Sequence, residues 1–211
     1  MTTDAGFWDK IAPKYAKSTI KDEAAYQYTL ARTRSYLKAD DSVLEVGCGT
    51  GSTAITLSDA VSKITATDMS SGMLSIAGDR AANAGVGNVT FQHCSDDALP
   101  DGPYDVVMAF NLLHLLPDLD AALAAVAARV RSGKLFVSKT PCLGEARGSF
   151  TYWMYSVLIP VLRLVGKAPS NVYFLSIAEL ETSIEQAGFE IIETGNYPVS
   201  TPGRYIVARR R

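Results

Sequence analysis

Three glycines at alternate positions, Gly47, Gly49 and Gly51, follow a short apolar segment and precede a segment with helical spacing. Glycine permits a tight turn and lets a ligand approach bare backbone closely. One acid, Glu45, lies two positions before the first glycine, and a second acid, Asp68, ends the next apolar segment. A carboxylate at such a strand end can accept hydrogen bonds from two ribose hydroxyls, each contributing about 1.5–3 kcal/mol. The pattern therefore indicates a ribose-containing cofactor.

The glycine spacing separates this loop from two other nucleotide-binding motifs. The dinucleotide fingerprint GxGxxG would need its third glycine at position 52, which is Ser52. No Lys-Ser or Lys-Thr pair follows the glycines, so the motif of a phosphate-binding P-loop is missing. The chain also lacks a Tyr-x-x-x-Lys pair. A nicotinamide-dependent oxidoreductase is therefore kept only as an alternative.

The elements that must position these residues alternate along the chain. Apolar runs predict strands at 43–46, 63–67, 89–93, 104–110, 135–139, 189–193 and 204–208. Helical spacing predicts helices at 55–61, 73–84, 120–131 and 176–188, the last begun by a capping box of Ser176 and Glu179. The continuously apolar run 104–110 predicts a strand that is buried on both faces. This alternation predicts a parallel α/β sheet in a single domain spanning residues 1–211.

Two segments fall outside the alternation. Residues 1–40 precede the first strand, and residues 141–175 lie between the fifth strand and the helix that begins at Ser176. Ligands of open α/β sheets bind beyond the carboxyl ends of the strands. We therefore expect 1–40 to form an N-terminal helical lid and 141–175 to form an inserted helical cap over that edge.

Composition and charge exclude several classes of protein. The 211 residues carry a net charge of −2, whereas a protein that binds phosphates of nucleic acid usually has a positive excess. Three scattered cysteines and two histidines offer no metal site. The first residues lack the pattern of a signal peptide, and the most apolar run, 152–165, is too short to span a bilayer. We expect a cytoplasmic protein without bound metal, nucleic-acid partner or transmembrane segment.

The sequence VLEVGCGTG, together with the acid that ends ITATD, resembles the class I S-adenosylmethionine-dependent methyltransferase family. The opening FWDKIAPKYAK is similar to small-molecule members such as the quinone-pathway methyltransferases. The resemblance implies a Rossmann-like, doubly wound sheet of seven strands, mostly parallel with the last strand antiparallel, and helices on both faces. It also implies S-adenosylmethionine as cofactor, S-adenosylhomocysteine as product, and a small, hydrophobic acceptor.

The resemblance further implies a set of cofactor contacts. Gly47, Cys48 and Gly49 would lie against the methionine and ribose, Glu45 would orient the amino group, and Asp68 would bind the ribose diol. Met69 would pack on the adenine, Tyr15 would close over the cofactor, and Asn111 would line the methionine end. Family members place an acid after the third strand to meet the adenine amine. Here Ser95 occupies that position, so Ser95 itself, Asp96 or Asp97 makes the contact.

The chemistry beyond the cofactor stays open at the level of sequence. His114 follows the fourth strand and is a candidate general base for a hydroxyl acceptor, although a histidine packed among leucines fits the same pattern. The (N/D)PPY motif of nucleic-acid amino-methylating enzymes is absent after that strand, where AFNLL stands. A protein that binds the adenosyl cofactor without catalysing a reaction is a second alternative.

Overall fold

The computed structural model describes residues 4–94, 98–199 and 203–211. Its sheet is built from β1 (Ser42–Val46), β2 (Lys63–Asp68), β3 (Val89–His93), β4 (Tyr104–Phe110), β5 (Val130–Pro141), β6 (Phe189–Asn196) and β7 (Gly203–Arg210). The seven strands are arranged in the order β3-β2-β1-β4-β5-β7-β6. Neighbouring strands are parallel except at β7, which is antiparallel to both β5 and β6. The predicted seven-stranded sheet with an antiparallel last strand is confirmed.

Helices cover both faces of this sheet. They are α1 (Ala5–Ala16), α2 (Glu23–Arg34), α3 (Ser52–Leu57), α4 (Ser71–Asn83), α5 (Leu119–Arg129), α6 (Phe150–Leu164) and α7 (Ile177–Gln186). Because side chains alternate along a strand, Val43 joins a core with α2 and α3, whereas Leu44 and Val46 join a core with α5 and α7. The sheet is therefore buried between two helical layers.

The central strand β4 follows the prediction made for a fully apolar run. Residues 104–109 are all buried, and β4 pairs with β1 on one side and β5 on the other. The predicted capping box also forms, since the Ser176 hydroxyl and the Glu179 carboxylate exchange hydrogen bonds with each other's backbone amides. Local sequence signals thus correctly located the elements that flank the carboxyl edge of the sheet.

The boundary between α5 and β5 differs from the prediction. The helix ends at Arg129 and β5 starts at Val130, although the sequence pattern extended the helix to residue 131 and began the strand at 135. The four residues 131–134 lie as a bulge opposite Asp105. Arg131 and Lys134 reach the Asp105 carboxylate at 2.6 and 3.1 Å. These ion pairs hold the bulge against β4. The hydrophobic periodicity of the sequence does not predict them, because their partner Asp105 lies on another strand.

The two segments outside the alternation also fold as helices. Residues 1–40 contain α1 and α2, and residues 141–175 contain a short 3₁₀ turn (Leu143–Ala146) followed by α6. No helix in the described ranges is long and apolar enough to cross a membrane.

Candidate functional site

The glycine loop connects β1 to α3 at the carboxyl edge of the sheet. All three glycines have positive φ, +69° at Gly47, +54° at Gly49 and +76° at Gly51. A Cβ atom at Gly51 would lie 2.9 Å from both Ala77 and Phe91. Among the described residues, a Cβ atom at Gly49 would come within 4 Å only of the Tyr15 ring, 4.0 Å away. Gly51 therefore serves packing, whereas Gly49 exposes bare backbone to open space.

Asp68 joins this loop to the start of α4. Parallel pairing places the end of β2 beside the end of β1, where the Asp68 Oδ2 atom accepts a hydrogen bond of 2.8 Å from the Gly49 amide. Its Oδ1 atom accepts a hydrogen bond of 2.9 Å from the Ser70 amide. Burial raises the pKa of this half-buried carboxyl above its ordinary value, although the backbone hydrogen bonds oppose the shift. The acid is held rigidly at the mouth of the loop.

Glu45 lies behind the glycine loop in β1. Its side chain is buried, and its Oε2 atom has no hydrogen-bond partner among the described residues. Burial raises the pKa of the Glu45 carboxyl to about 8, with a further contribution from the negative charge of Asp68. The backbone amide of Ala54 hydrogen-bonds to this carboxyl and opposes the shift, but a buried oxygen without a partner is still costly. Such a group is a common feature of functional sites, where a ligand supplies the missing partner.

A cavity of about 300 Å³ opens in front of the loop and Asp68. Its polar lining comes from Asp4, Tyr15, Asp68, Asn111, Ser170 and Asn171, with the backbone of Gly47 and Gly49. Its apolar lining comes from Trp8, Met69, Met73, Phe110, Leu112, Leu115, Leu116 and Pro117. The volume is at the lower end of the range for small-molecule sites, and the mixed lining is typical of them.

The N-terminal helix α1 closes one side of this cavity. The Asp9 carboxylate accepts hydrogen bonds from the Ser70 hydroxyl at 2.7 Å and the Gly72 amide at 2.8 Å, which fastens α1 to the first turn of α4. The guanidinium of Arg80 in α4 donates to the Ala16 carbonyl at 2.6 Å, at the other end of α1. The helix is thus anchored at two points, with Trp8 and Tyr15 facing the cavity.

The inserted segment reaches the cavity with its last residues. Ser170 and Asn171 lie in the lining, and the Ser170 amide donates a 2.8 Å hydrogen bond to the Asp4 carboxylate. Helix α6 itself contributes no residue to the lining among those described. The segments 1–40 and 141–175 therefore meet at the rim of the cavity.

Six of the residues predicted to bind the cofactor line the cavity. These are Tyr15, Gly47, Gly49, Asp68, Met69 and Asn111. Asn111 adopts the left-handed backbone conformation, with φ of 55°, and its amide donates to the Lys139 carbonyl at 2.8 Å. This conformation is uncommon for a residue other than glycine and recurs at functional sites.

The remaining predicted residues lie elsewhere. Glu45 lies behind the loop. Cys48 lies within the loop with its side chain buried, and burial raises the pKa of its thiol, which disfavours the reactive thiolate. His114 is half-buried in the 3₁₀ turn Leu113–Leu115 and does not line the cavity. Burial lowers the pKa of its imidazole to about 4. Ser95, Asp96 and Asp97 lie outside the described residues, so the predicted adenine contact stays a prediction.

Several lining residues were missed by reasoning from sequence. Trp8 and Met73 are far apart in sequence, and no motif near either residue indicates that they share a cavity. Asp9 was also missed, although it positions α1. The adjacent aromatic residues Phe7 and Trp8 in the opening helix are the sequence signal that could have drawn attention to this face.

Comparison with known proteins agrees with this geometry. Residues 43–133, which contain the glycine loop and Asp68, match a family model described as a methyltransferase domain. A ubiquinone biosynthesis O-methyltransferase of Bordetella avium is 30% identical over 152 residues, which cover 70% of this chain and 61% of that protein. The chain spans half or less of the length of several other curated relatives.

Solved structures share the fold at lower identity. The DhpI–SAH complex superposes with a TM-score of 0.75 at 24% identity, covering 98% of this chain and 95% of that chain. The [4+2]-cyclase SpnF superposes with a TM-score of 0.73 at 19% identity, covering 92% and 83% of the two chains. Taken with the matched family model, the glycine loop and the acid that ends β2, these findings support a class I S-adenosylmethionine-dependent methyltransferase, and the solved structures share its fold.

Proposed function

We propose that this chain transfers the methyl group of S-adenosylmethionine to a small, apolar acceptor by in-line displacement. The observation that carries the proposal is the pairing of Asp68 with the Gly49 amide at the mouth of an open cavity. A fixed carboxylate beside bare backbone suits a ribose diol and the chain that extends from it.

The residues present fit that cofactor. The Glu45 Oε2 atom is buried and unpartnered among the described residues, as expected of a carboxylate that awaits an amino group reached through water. A Cβ atom at Gly49 would occupy the open space in front of the loop. The lack of a side chain at Gly49 therefore leaves room for a ligand and is not required by packing. Asp68 would hold the ribose, Met69 would pack on the adenine, and Tyr15 would close over the bound cofactor.

The chain contributes to the reaction by positioning the acceptor and the methyl group relative to each other. When bound, the cofactor supplies an electrophilic methyl group, so the hard chemistry is not the protein's. Alignment of acceptor and methyl group can provide about 7–11 kcal/mol of the acceleration. The anchored helix α1 and the rim formed by Asp4 and Ser170 would exclude water from the reacting atoms.

The apolar wall supports a hydrophobic acceptor. Phe110, Leu112, Leu115 and Leu116 line the cavity near Asn111. The name of the Bordetella relative places its acceptor in ubiquinone biosynthesis, which agrees with a lipophilic molecule here. A hydroxyl acceptor would need a proton acceptor, and His114 stays the candidate. Its lowered pKa keeps the imidazole neutral at pH 7, but also makes it a weak base.

A second candidate function is binding of the cofactor without methyl transfer. The specific observation in its favour is that a [4+2]-cyclase shares this fold. Both functions need the same cofactor cavity, so they differ only in turnover. Methylated product from a panel of phenolic and quinol acceptors would support the transferase, and cofactor binding without product would support the second candidate.

Calorimetric titration with S-adenosylmethionine, S-adenosylhomocysteine and NAD tests the proposed cofactor. We expect both adenosyl ligands to bind and NAD not to bind. Asp68→Asn should weaken the affinity for S-adenosylmethionine by about 5- to 100-fold, because a charge-assisted pair to the ribose becomes a neutral one. The control is Asp59→Asn, since Asp59 is an exposed acid paired with Arg34 away from the cavity.

Two results would contradict the proposal. Binding of NAD alone would overturn the interpretation of the glycine loop. Equal affinity of the folded Asp68→Asn variant and the parent protein would remove Asp68 from the site. If no ligand binds, mass spectrometry of denatured protein decides whether an adenosyl ligand was already bound after purification.

A further inference from the structure

The outward face of α6 is an exposed apolar stripe. Its members recur at the spacing of one helical face, and each is exposed to solvent by at least 36%. They are Phe150, Trp153, Met154, Val157, Leu158, Val161, Leu164 and Val165. We refer to these eight residues as the α6 stripe.

The stripe departs from the usual pattern of a surface helix, because the outward side of α6 is apolar as well as the inner side. A typical surface helix buries its apolar face and exposes its polar face. The inner side of α6 carries Tyr152, which packs against Phe174 at 5.2 Å between ring centroids, and the partly buried Tyr155, Ser156, Ile159 and Leu162. The largest exposures belong to Leu164 at 86% and Phe150 at 75%. An apolar surface of this length marks an interaction site rather than a chance distribution of side chains.

The charge of the sequence segment that contains the stripe is one-sided. Between Glu145 and Glu179 the sequence contains no Asp or Glu, whereas it contains Arg147, Arg163 and Lys167. Arg147 is paired with Glu179, but Arg163 and Lys167 are exposed at the carboxyl end of α6. The chain as a whole has a net charge of −2, so this segment differs from the average surface. Exposed apolar side chains with flanking cations complement an anionic lipid surface.

The shape of the stripe also favours a bilayer over a second copy of the chain. A helix of this length presents a strip of about 24 by 10 Å. Each partner in a stable dimer buries about 800 Å². A bilayer needs no such complementary surface, because acyl chains adapt to a convex strip, and Trp and Tyr side chains partition to its interface. Trp153 lies in the α6 stripe and is 60% exposed.

We propose that α6 is an interfacial helix that docks this protein on an anionic lipid bilayer through the α6 stripe. The stripe would enter the boundary between headgroups and acyl chains, with Arg163 and Lys167 at the headgroups. The segment after α6 carries Ser170 and Asn171 to the rim of the cavity, so docking would place that rim near the membrane. Delivery of a lipophilic acceptor by this route rests on the proposed function, whereas membrane docking itself does not.

Vesicle binding tests the proposal directly. The full chain is sedimented with vesicles of phosphatidylcholine, alone or mixed with phosphatidylglycerol. We expect binding to the mixed vesicles, weakened by salt, and a blue shift of Trp153 fluorescence in a Trp8→Phe background. The double variant Trp153→Glu/Leu164→Glu should lower partitioning at least about tenfold, since two exposed anchors become charged. Arg163→Ala/Lys167→Ala should lower it by about tenfold on anionic vesicles alone.

Matched controls separate docking from unfolding and from the proposed function. Val199→Glu places the same charge on an exposed apolar residue outside the stripe, and we expect its partitioning to equal that of the parent chain. S-adenosylmethionine affinity, measured without vesicles, should be equal in all stripe variants. Failure of vesicle binding with intact cofactor binding would overturn only this proposal.

Three outcomes would overturn it. The first is the absence of binding to either vesicle, and the second is equal binding by the stripe variants. The third is a dimer in sedimentation velocity that Leu164→Glu dissociates, because the stripe would then be covered by a second copy of the chain.

Discussion

Glu45 is a single residue whose burial is unfavourable for the ligand-free protein. Strand β1 is buried on both faces, so any side chain in it enters the core. At Glu45 that side chain is a carboxyl with an unpartnered oxygen among the described residues, and its pKa is raised to about 8. Folding of the ligand-free chain therefore favours the protonated carboxyl.

This shift predicts a pH dependence of stability. The Glu45 pKa is 4.5 before folding and about 8 after it, so the folded state holds one more proton between these values. The free energy of unfolding of the ligand-free protein should therefore fall as the pH rises from about 5 to 8. Glu45→Gln, which stays neutral, should flatten this dependence and stabilise the protein by about 1–3 kcal/mol at pH 8. Urea denaturation at the two pH values measures it.

Glu45→Gln should stabilise the folded protein but weaken its binding of the cofactor. Glu45→Gln removes the charge proposed to orient the cofactor's amino group, so calorimetry should report weaker binding of S-adenosylmethionine. Glu190→Gln, at an exposed position in β6, serves as the control for both measurements. A Glu45→Gln variant that is destabilised equally at pH 5 and pH 8 would contradict the assignment of a buried, protonated carboxyl.

At the scale of the element, the glycine loop has two separate tasks. Gly51 brings the loop against α4 and β3, where a Cβ atom has no room. Gly49 turns its backbone toward the cavity, and its amide fixes Asp68. The GxGxG spacing describes the turn but does not distinguish these tasks, because the distinction depends on neighbours from other elements.

Single alanine substitutions should separate the two tasks. Gly51→Ala combines a strained φ with contacts of 2.9 Å, so it should lower the free energy of unfolding by about 2–4 kcal/mol. Gly49→Ala incurs the strain of a positive φ, about 1–2 kcal/mol, but its methyl group points into the cavity and should strongly weaken S-adenosylmethionine binding. Thermal denaturation and calorimetry of both variants give the comparison. Wild-type cofactor affinity in Gly49→Ala would show that the ligand does not approach this backbone.

At the scale of the whole molecule, the site is completed by α1 crossing from the N-terminus to α4. Arg80 is central to this arrangement, since its guanidinium donates to the Thr50 hydroxyl at 2.7 Å and to the Ala16 carbonyl at 2.6 Å. One side chain thus ties the glycine loop, α4 and the end of α1 together. The closure of the cavity depends on contacts between parts of the chain that are remote in sequence.

Removal of the Arg80 side chain should loosen α1 more than the rest of the fold. Arg80→Ala should increase amide hydrogen exchange in residues 5–16 and weaken S-adenosylmethionine binding several-fold, because a looser α1 must be ordered when the ligand binds. Arg34→Ala is the matched control, since Arg34 is a surface arginine whose hydrogen bond and ion pair go to the Thr56 carbonyl and to Asp59, neither of which lies in α1. Unchanged exchange in α1 would mean that the Asp9 contacts alone hold the helix.

The sequence by itself determined the order of strands and helices, the glycine loop and the acid that ends β2. These features depend on short-range rules: apolar runs make buried strands, glycines permit positive φ, and Ser176 with Glu179 caps a helix. The same rules failed at residues 130–134, where Asp105 on another strand extends β5 through ion pairs with Arg131 and Lys134. A periodicity argument has no access to a partner on a different element.

Only the tertiary structure decided which of the chemistry-bearing residues share a cavity. It placed Tyr15, Asp68 and Asn111 in one lining, left His114 out of that lining, and brought Trp8 together with Ser170. It also showed that an apolar face of α6 is exposed to solvent, which the helical spacing of that segment could not tell. The physical reason is that spacing defines a face, whereas packing against other elements decides whether that face meets the core, a ligand or the solvent.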